Sequence, residues 1–344
     1  MHLILDILKD GISYQSALAI QADWYEDRGD ERMSQILRAT AKATKTAAAT
    51  TFLLVLDEES RLLAWVENEN AEEYRRVITS PPPQARAVSA CDDHALMLSL
   101  QGEVWHWPWD VGAEEDKKTT YFNSTQAVAI AAGLRYSLAL TTQGKIQLSV
   151  WRRARLERFN HDGVALAAGD QQALVLTPEG KILLWGGNSR QREIPAEPHT
   201  SFAAIACGGM HALALTPQGS VVAWGENLFQ QCDVPPGLEA IAIAAGDRHS
   251  VALTPDGDVV AWGDNTYHQL HVPPGLKGVA VVAGSFYSVV QTPQGDLVAW
   301  GDVPWAKPQH VAGYDDSGVP YFQVTPRLSP ETQEEEKERI TKCT

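Results

Sequence analysis

The sequence is short of cysteine, of long apolar runs and of positive charge, and each shortage excludes something. Only four cysteines occur in 344 residues (Cys91, Cys207, Cys232 and Cys343), and no two form a CxxC pair. That fits a reducing compartment and argues against a disulfide scaffold or a thiolate zinc site. No run approaches 18 uncharged apolar residues, so no helix is expected to span a membrane. The first residues, MHLILDILKDG, lack a basic start and a small-residue cleavage site. They are not expected to act as a signal peptide, and a cytoplasmic location is the expectation. Basic residues number 28 against 43 acidic, a net charge of −15. An acidic body repels phosphate backbones, so general nucleic-acid binding is disfavoured. No HExxH, GxSxG, GxxxxGK[ST] or GxGxxG string occurs. Nothing in the sequence argues for an enzyme or a cofactor.

What the sequence does have is a repeat. AIAIAAGDRHSVALTPDGDVVAWGDN from Ala240 nearly duplicates FAAIACGGMHALALTPQGSVVAWGEN from Phe202. Related segments start at Thr46, Ala87, Ala127, Gly163 and Gly278. One aligned column reads Trp65, Trp107, Ser149, Trp185, Trp224, Trp262 and Trp300, in steps of 42, 42, 36, 39, 38 and 38 residues. Thirteen residues earlier stand Phe52, His94, Tyr136, Gln172, His211, His249 and Tyr287. A glycine column reads Ala49, Cys91, Gly133, Gly169, Gly208, Gly246 and Gly284. A repeat of this length must be read before any single motif, because it decides the fold.

Each unit reads as strands. HSVALT and DVVAWG are rich in apolar and β-branched residues, and TPDG, TPQG or TPEG between them places Pro and Gly where a hairpin turn needs them. AIAIAAG supplies a strand before the hairpin. Both faces of VVAWG are apolar, so each small sheet must be covered on both sides. Seven sheets covering one another describe a closed ring: an all-β, seven-bladed propeller with three to four antiparallel strands per blade. The reading divides the chain into a helical segment (1–46), the propeller (47–301) and a tail (302–344).

The pattern AAGxxHxxALTxxGxVxAWGxN resembles the regulator of chromosome condensation repeat family. The short unit and its VPPGL connector, Val234–Leu238 and Val272–Leu276, are closer to the bacterial short form. That form is also seen in secreted propeller inhibitors of β-lactamase. The resemblance covers residues 47–301, is strongest in units five to seven, and is degenerate in units one to three. The founder of the family acts on a small GTPase and binds chromatin. The shorter repeats and acidic body here carry over neither activity.

Outside the repeat, SYQSALAIQADWYEDR spaces apolar residues as a helix does; Gly29 ends it and Asp30 caps a second helix, ERMSQILRATAK. ADWYEDRGDER resembles the repeat-companion segment of bacterial repeat proteins. The Ala-rich stretch Lys42–Ala49 extends the second helix on this reading, which leaves blade one without its first strand. VPYFQVT, Val319–Thr325, reads as an edge strand that pairs with blade one or seven and closes the ring. SPETQEEEKERITK from Ser329 reads as a capped helix or a frayed tail.

His94, His211 and His249 share a column, and repetition alone does not make ligands converge; they read as structural histidines with no metal. His268 and His271 read as solvated loop residues. Trp65, Trp107, Trp185, Trp224, Trp262 and Trp300, with Gly208, Gly246 and Gly284, read as the structural repeat. The residues that depart from the repeat are the candidate partner contacts. Trp109 follows Trp105 and Trp107 and precedes the acidic insert Gly112–Lys118. Arg152, Arg153, Arg155 and Arg158 crowd a segment read as a loop, suited to an acidic partner or to a local RNA contact. Phe229, Tyr267 and Trp305 occupy equivalent connectors, and Trp, Tyr and Arg are enriched in binding surfaces.

The expected function is therefore a non-catalytic protein–protein interaction module, a scaffold or subunit of a bacterial multiprotein assembly, with another protein as partner and no membrane. An enzyme inhibitor, a nucleotide-exchange-type regulator and a sensor subunit of a defence or stress system are the alternatives.

Overall fold

The computed structural model describes residues 14–43, 45–49, 52–57, 60–66, 75–77, 84–108, 122, 126–150, 155–187, 194–195, 200–306 and 310–326. Side chains of 14–16, 65–66, 75–77, 107–108 and 155–161 fall outside the description. Each repeat unit becomes one antiparallel sheet, seven in all. Blade six shows the construction. Ala242–Ala245 is the inner strand, His249–Leu253 the middle and Val259–Gly263 the outer. The hairpin between the last two is local chemistry. Gly257 takes a φ of 81° and returns its N–H to Thr254 O at 3.0 Å. The Thr254 hydroxyl accepts the Asp258 N–H at 3.0 Å. Thr141, Thr177 and Thr216 do the same in blades three, four and five.

The middle strands are buried end to end in blades one to six. This is what apolar residues on both strand faces require. Inner strands touch in chain order, and Ala280–Ala283 of blade seven meets Thr46–Ala48 of blade one, so the ring is closed. The seam is apolar. Leu53, Val55 and Leu63 of blade one share a cluster with Tyr287, Val289 and Leu297 of blade seven.

Strand number varies. Among the described residues, blades two, four, five and six have three strands, blades one and three have four, and the seventh sheet has five. In blades five and six a fourth strand is reduced to single bridges, Ser220 to Glu239 and Asp258 to Lys277, just past the VPPGL connectors.

Three expectations are revised. The second helix, α2 (Glu31–Ala43), stops before Thr46, and Thr46–Ala48 forms the inner strand of blade one, paired with Leu53–Val55. Ring closure demands a strand there, and helix propensity is a weak prior against it. The arginine-rich segment is not a loop throughout, because Arg155–Asp162 is a fourth strand of blade three. Charged residues on such an edge guard it against pairing with another chain. The tail contributes two strands rather than one. Pro320–Val324 pairs with Leu297–Ala299 of blade seven, and Val311–Tyr314 pairs outside it. The acidic residues after Ser329 lie outside the described residues.

The first helix, α1 (Tyr14–Glu26), turns into α2 through Gly29, whose φ is 76°. Asp30 Oδ1 caps α2 by accepting the Met33 N–H at 3.1 Å. Leu18, Met33, Ile36 and Leu37 share one buried cluster with Val128, Ala203, Ala240 and Val281. Those four lie at or just before the starts of inner strands, and α2 contacts the inner strands of blades one, six and seven. The helical hairpin thus covers the end of the ring where the inner strands begin. Among the described residues no helix is long and apolar enough to cross a membrane.

Candidate functional site

The other end of the ring is built from the turns that follow the inner strands. Behind them runs a polar belt joining blade to blade. His94 Nε2 lies 2.8 Å from Ser137 Oγ, His211 Nε2 3.0 Å from Ser250 Oγ, and His249 Nε2 3.0 Å from Ser288 Oγ. Each serine belongs to the next blade. Where the column holds Tyr or Gln, the next blade has Ala or Leu in place of Ser, and the side chain bonds backbone instead. Tyr136 donates to Gln172 O, Gln172 to His211 O and Tyr287 to Phe52 O. Ser250 and Ser288 spend their own protons on Gln231 O and Gln269 O, so they accept from the imidazole N–H. His211 and His249 are neutral donors. Burial holds them at about 3 and about 4, well below the ordinary imidazole value.

The glycine column fits beneath this belt. A Cβ on Gly208 or Gly246 would collide with the ring of His211 or His249, and one on Gly284 with the ring of Tyr287. The tryptophan column locks the connectors. Trp262 Nε1 donates to Gln231 O at 3.0 Å and Trp300 Nε1 to Gln269 O at 2.9 Å. Trp224, Trp262 and Trp300 are buried, whereas Trp185 is half-buried against Tyr136, 5.3 Å between rings. The side chains of Trp65 and Trp107 lie outside the described residues.

The position after the glycine column faces the mouth of the ring, and here acidic residues converge. Asp92, Asp170 and Asp247 come from blades two, four and six. Ser285 Oγ donates to Asp92 Oδ1 at 3.2 Å, and the Asp247 N–H donates to Ser285 O at 3.2 Å. Burial, then Asp170 and Asp92, push Asp247 up to about 7. Burial, then Asp92 and Asp93, raise Asp170. The sequence reading passed over these residues. Their signal was available in the column reading Thr50, Asp92, Leu134, Asp170, Gly209, Asp247 and Ser285.

In blade two the mouth carries a second group. Cys91 replaces the column glycine, and its Sγ lies 3.1 Å from His94 Nδ1 and 2.9 Å from Asp93 Oδ1. His94 Nδ1 lies 2.7 Å from Asp93 Oδ1. Burial, with Asp93 beside it, pushes the Cys91 thiol far up, so it is no free nucleophile.

Around the mouth stand the outer connectors. Phe229 and Tyr267 hold equivalent places and pack on equivalent partners. Arg248 lies over the Phe229 ring at 4.8 Å, and Tyr267 sits 5.1 Å from Phe286. Tyr267 is 44% exposed, and Leu228 beside Phe229, missed from sequence, is 74% exposed. Trp305 does not belong with them. It is fully buried 6.3 Å from Tyr287, in the apolar cluster at the seam of blades one and seven, and it has no surface to offer a partner. Trp109, Arg152 and Arg153, the acidic insert 112–118, and the side chains of Arg155 and Arg158 lie outside the described residues. His271 is not merely solvated, since its Nδ1 pairs with Asp315 Oδ2 at 2.6 Å and ties the connector to the tail. A cleft of about 260 Å3 opens on the opposite rim, between Lys45 and Asp57 of blade one and Asp296 of blade seven.

Residues 202–231 and 240–269 match the Regulator of chromosome condensation (RCC1) repeat family. Two of the seven units, the fifth and the sixth, thus match that repeat. The ring is an RCC1-like propeller, and solved structures agree on the fold. The CRINKLY WD40 ectodomain of the Arabidopsis thaliana receptor kinase ACR4 is 17% identical, covering 75% of this chain and 95% of its own, with a TM-score of 0.61. Human WBSCR16 is 17% identical over 70% of this chain and 83% of its own, at a TM-score of 0.56. Prp20p of Saccharomyces cerevisiae, described with its binding to Gsp1p and histones, is 19% identical over 86% and 85%, at 0.51. No curated protein matches the chain in sequence.

Proposed function

We propose that the chain is a non-catalytic protein-binding module of a bacterial multiprotein assembly in the cytoplasm, and that it engages its partner with the mouth face of the ring. The observation that carries this reading is a pair of exposed apolar side chains, Leu228 and Tyr267, on neighbouring connectors at the same end of the ring as the interacting carboxylates of Asp92, Asp170 and Asp247. An apolar rim around an acidic centre fits a partner that presents a basic segment flanked by apolar residues. That Prp20p binds histones, which are basic proteins, supports the same reading. The arginines of the Arg152–Arg158 segment, with Trp109, form a second contact region toward an acidic surface of the partner, and Arg holds carboxylates bidentately.

The test is capture of the partner from the native host by immobilised chain, with Leu228→Ser/Tyr267→Ser compared with Lys277→Ser on the far rim. The double variant captures at least about tenfold less, as expected when anchors worth about 2 kcal/mol are lost. The Lys277 variant captures as the unmodified chain does. Equal capture by all three refutes the face assignment.

A further inference from the structure

We propose that Cys91, Asp93 and His94 form a three-ligand site for a borderline divalent transition metal, zinc(II) by its ligand chemistry, at the mouth of the ring. The histidine column was read from sequence as metal-free; in blades five and six the imidazole packs against the glycine three residues before it. Blade two differs from them at two positions that matter here, Cys91 for Gly208 or Gly246 and Asp93 for Met210 or Arg248. Cys91 replaces the column glycine and pairs with His94 across Asp92 and Asp93, the same two-residue turn that the other blades use. The result brings a thiol sulfur, an imidazole nitrogen and a carboxylate oxygen to 2.7–3.1 Å of one another. These three atoms alone form such a group among the described residues.

Ligands around zinc stand about 2.0–2.3 Å from the metal. In tetrahedral geometry that sets them about 3.3–3.6 Å apart, so the three atoms need to spread by roughly half an ångström to surround an ion. Bound metal takes the lone pair of His94 Nδ1 and the thiolate of Cys91, and the thiol proton leaves to solvent. The two anionic ligands neutralise the ion. His94 Nε2–H is already placed to donate to Ser137 Oγ, the outer hydrogen bond that metal-bound histidines use to fix their ring. The Asp93 side chain is 27% exposed, which gives an entry path, and Asp92 and Asp170 nearby favour cations there. Thiolate, imidazole and carboxylate together suit zinc better than magnesium or calcium.

The experiment uses the full chain, dialysed against chelator and titrated with cobalt(II) alone and then zinc(II) alone. One equivalent of cobalt(II) produces a thiolate-to-metal absorption band in the near ultraviolet, and zinc(II) abolishes it stoichiometrically. Cys91→Gly restores the residue that blades three to seven carry, so it folds; it shows no band. Ser137→Ala keeps the band and binds zinc(II) about 10–100-fold more weakly. Asp93→Asn, which keeps the turn, also weakens zinc(II), and Cys232→Ser changes nothing. No band in the unmodified chain, a band that survives Cys91→Gly, or unchanged affinity in Asp93→Asn overturns the proposal.

Discussion

His249 of blade six donates from Nε2 to the hydroxyl of Ser288 in blade seven across 3.0 Å, and that hydroxyl donates onward to Gln269 O. The same carbonyl accepts Trp300 Nε1. One backbone oxygen thus joins the histidine, serine and tryptophan positions of the repeat.

Ser288→Ala strands the buried His249 N–H and costs about 1–3 kcal/mol in denaturant unfolding. Adding His249→Tyr recreates the pairing of blades three and four, where Tyr136 reaches past Ala173 to Gln172 O. The double variant recovers stability relative to Ser288→Ala. A double variant weaker than both singles refutes the belt as a set of interchangeable links.

Truncating Trp262→Ala removes a buried indole and its bond to Gln231 O, and costs about 3–5 kcal/mol. Trp262→Phe keeps most of the volume and costs clearly less. Chemical denaturation of both variants measures the difference.

Stability depends on pH through two opposed groups. His211 and His249 stay neutral in the fold to about 3 and about 4, while an unfolded imidazole protonates near 6.5. Their contribution is complete above pH ~6.5 and is lost as the pH falls toward those values. Asp247 acts oppositely. Its folded value of about 7 exceeds the unfolded one, so it destabilises the ring as the pH rises from about 4 to about 7. Asp247→Asn therefore raises the melting temperature at pH 8 and loses that advantage by pH 4. Melting curves across this range check both signs.

Cutting the chain after Ala306 removes both tail strands. Leu297–Ala299 then loses its pairing partner, and Val324 leaves the cluster at the seam of blades one and seven. The truncated chain melts several degrees lower. An unchanged melting curve shows that the tail adds nothing to closure.

What the sequence by itself determined is whatever lies within one unit. The TPDG turn, the two-faced apolar strands and the tryptophan spacing act over a few residues, so blade number and hairpin position were readable. The role of the histidines as structural donors was readable in kind, and the pairing of each His with a Ser in the next unit was present in the columns. Tertiary structure decided what depends on closing the ring. Thr46–Ala48 is a strand because blades seven and two flank it, whatever its alanines prefer. Trp305 is buried because it packs into the seam where blade seven meets blade one. Asp92, Asp170 and Asp247 are separated by 78 and 77 residues in sequence, and only the circular order of the blades brings them to one mouth. Cys91 looks like a lapse in a glycine column until the turn common to the blades sets its sulfur against His94. Local patterns fix hydrogen bonds within a strand pair. The axis of a ring is shared by every unit and encoded by none of them alone.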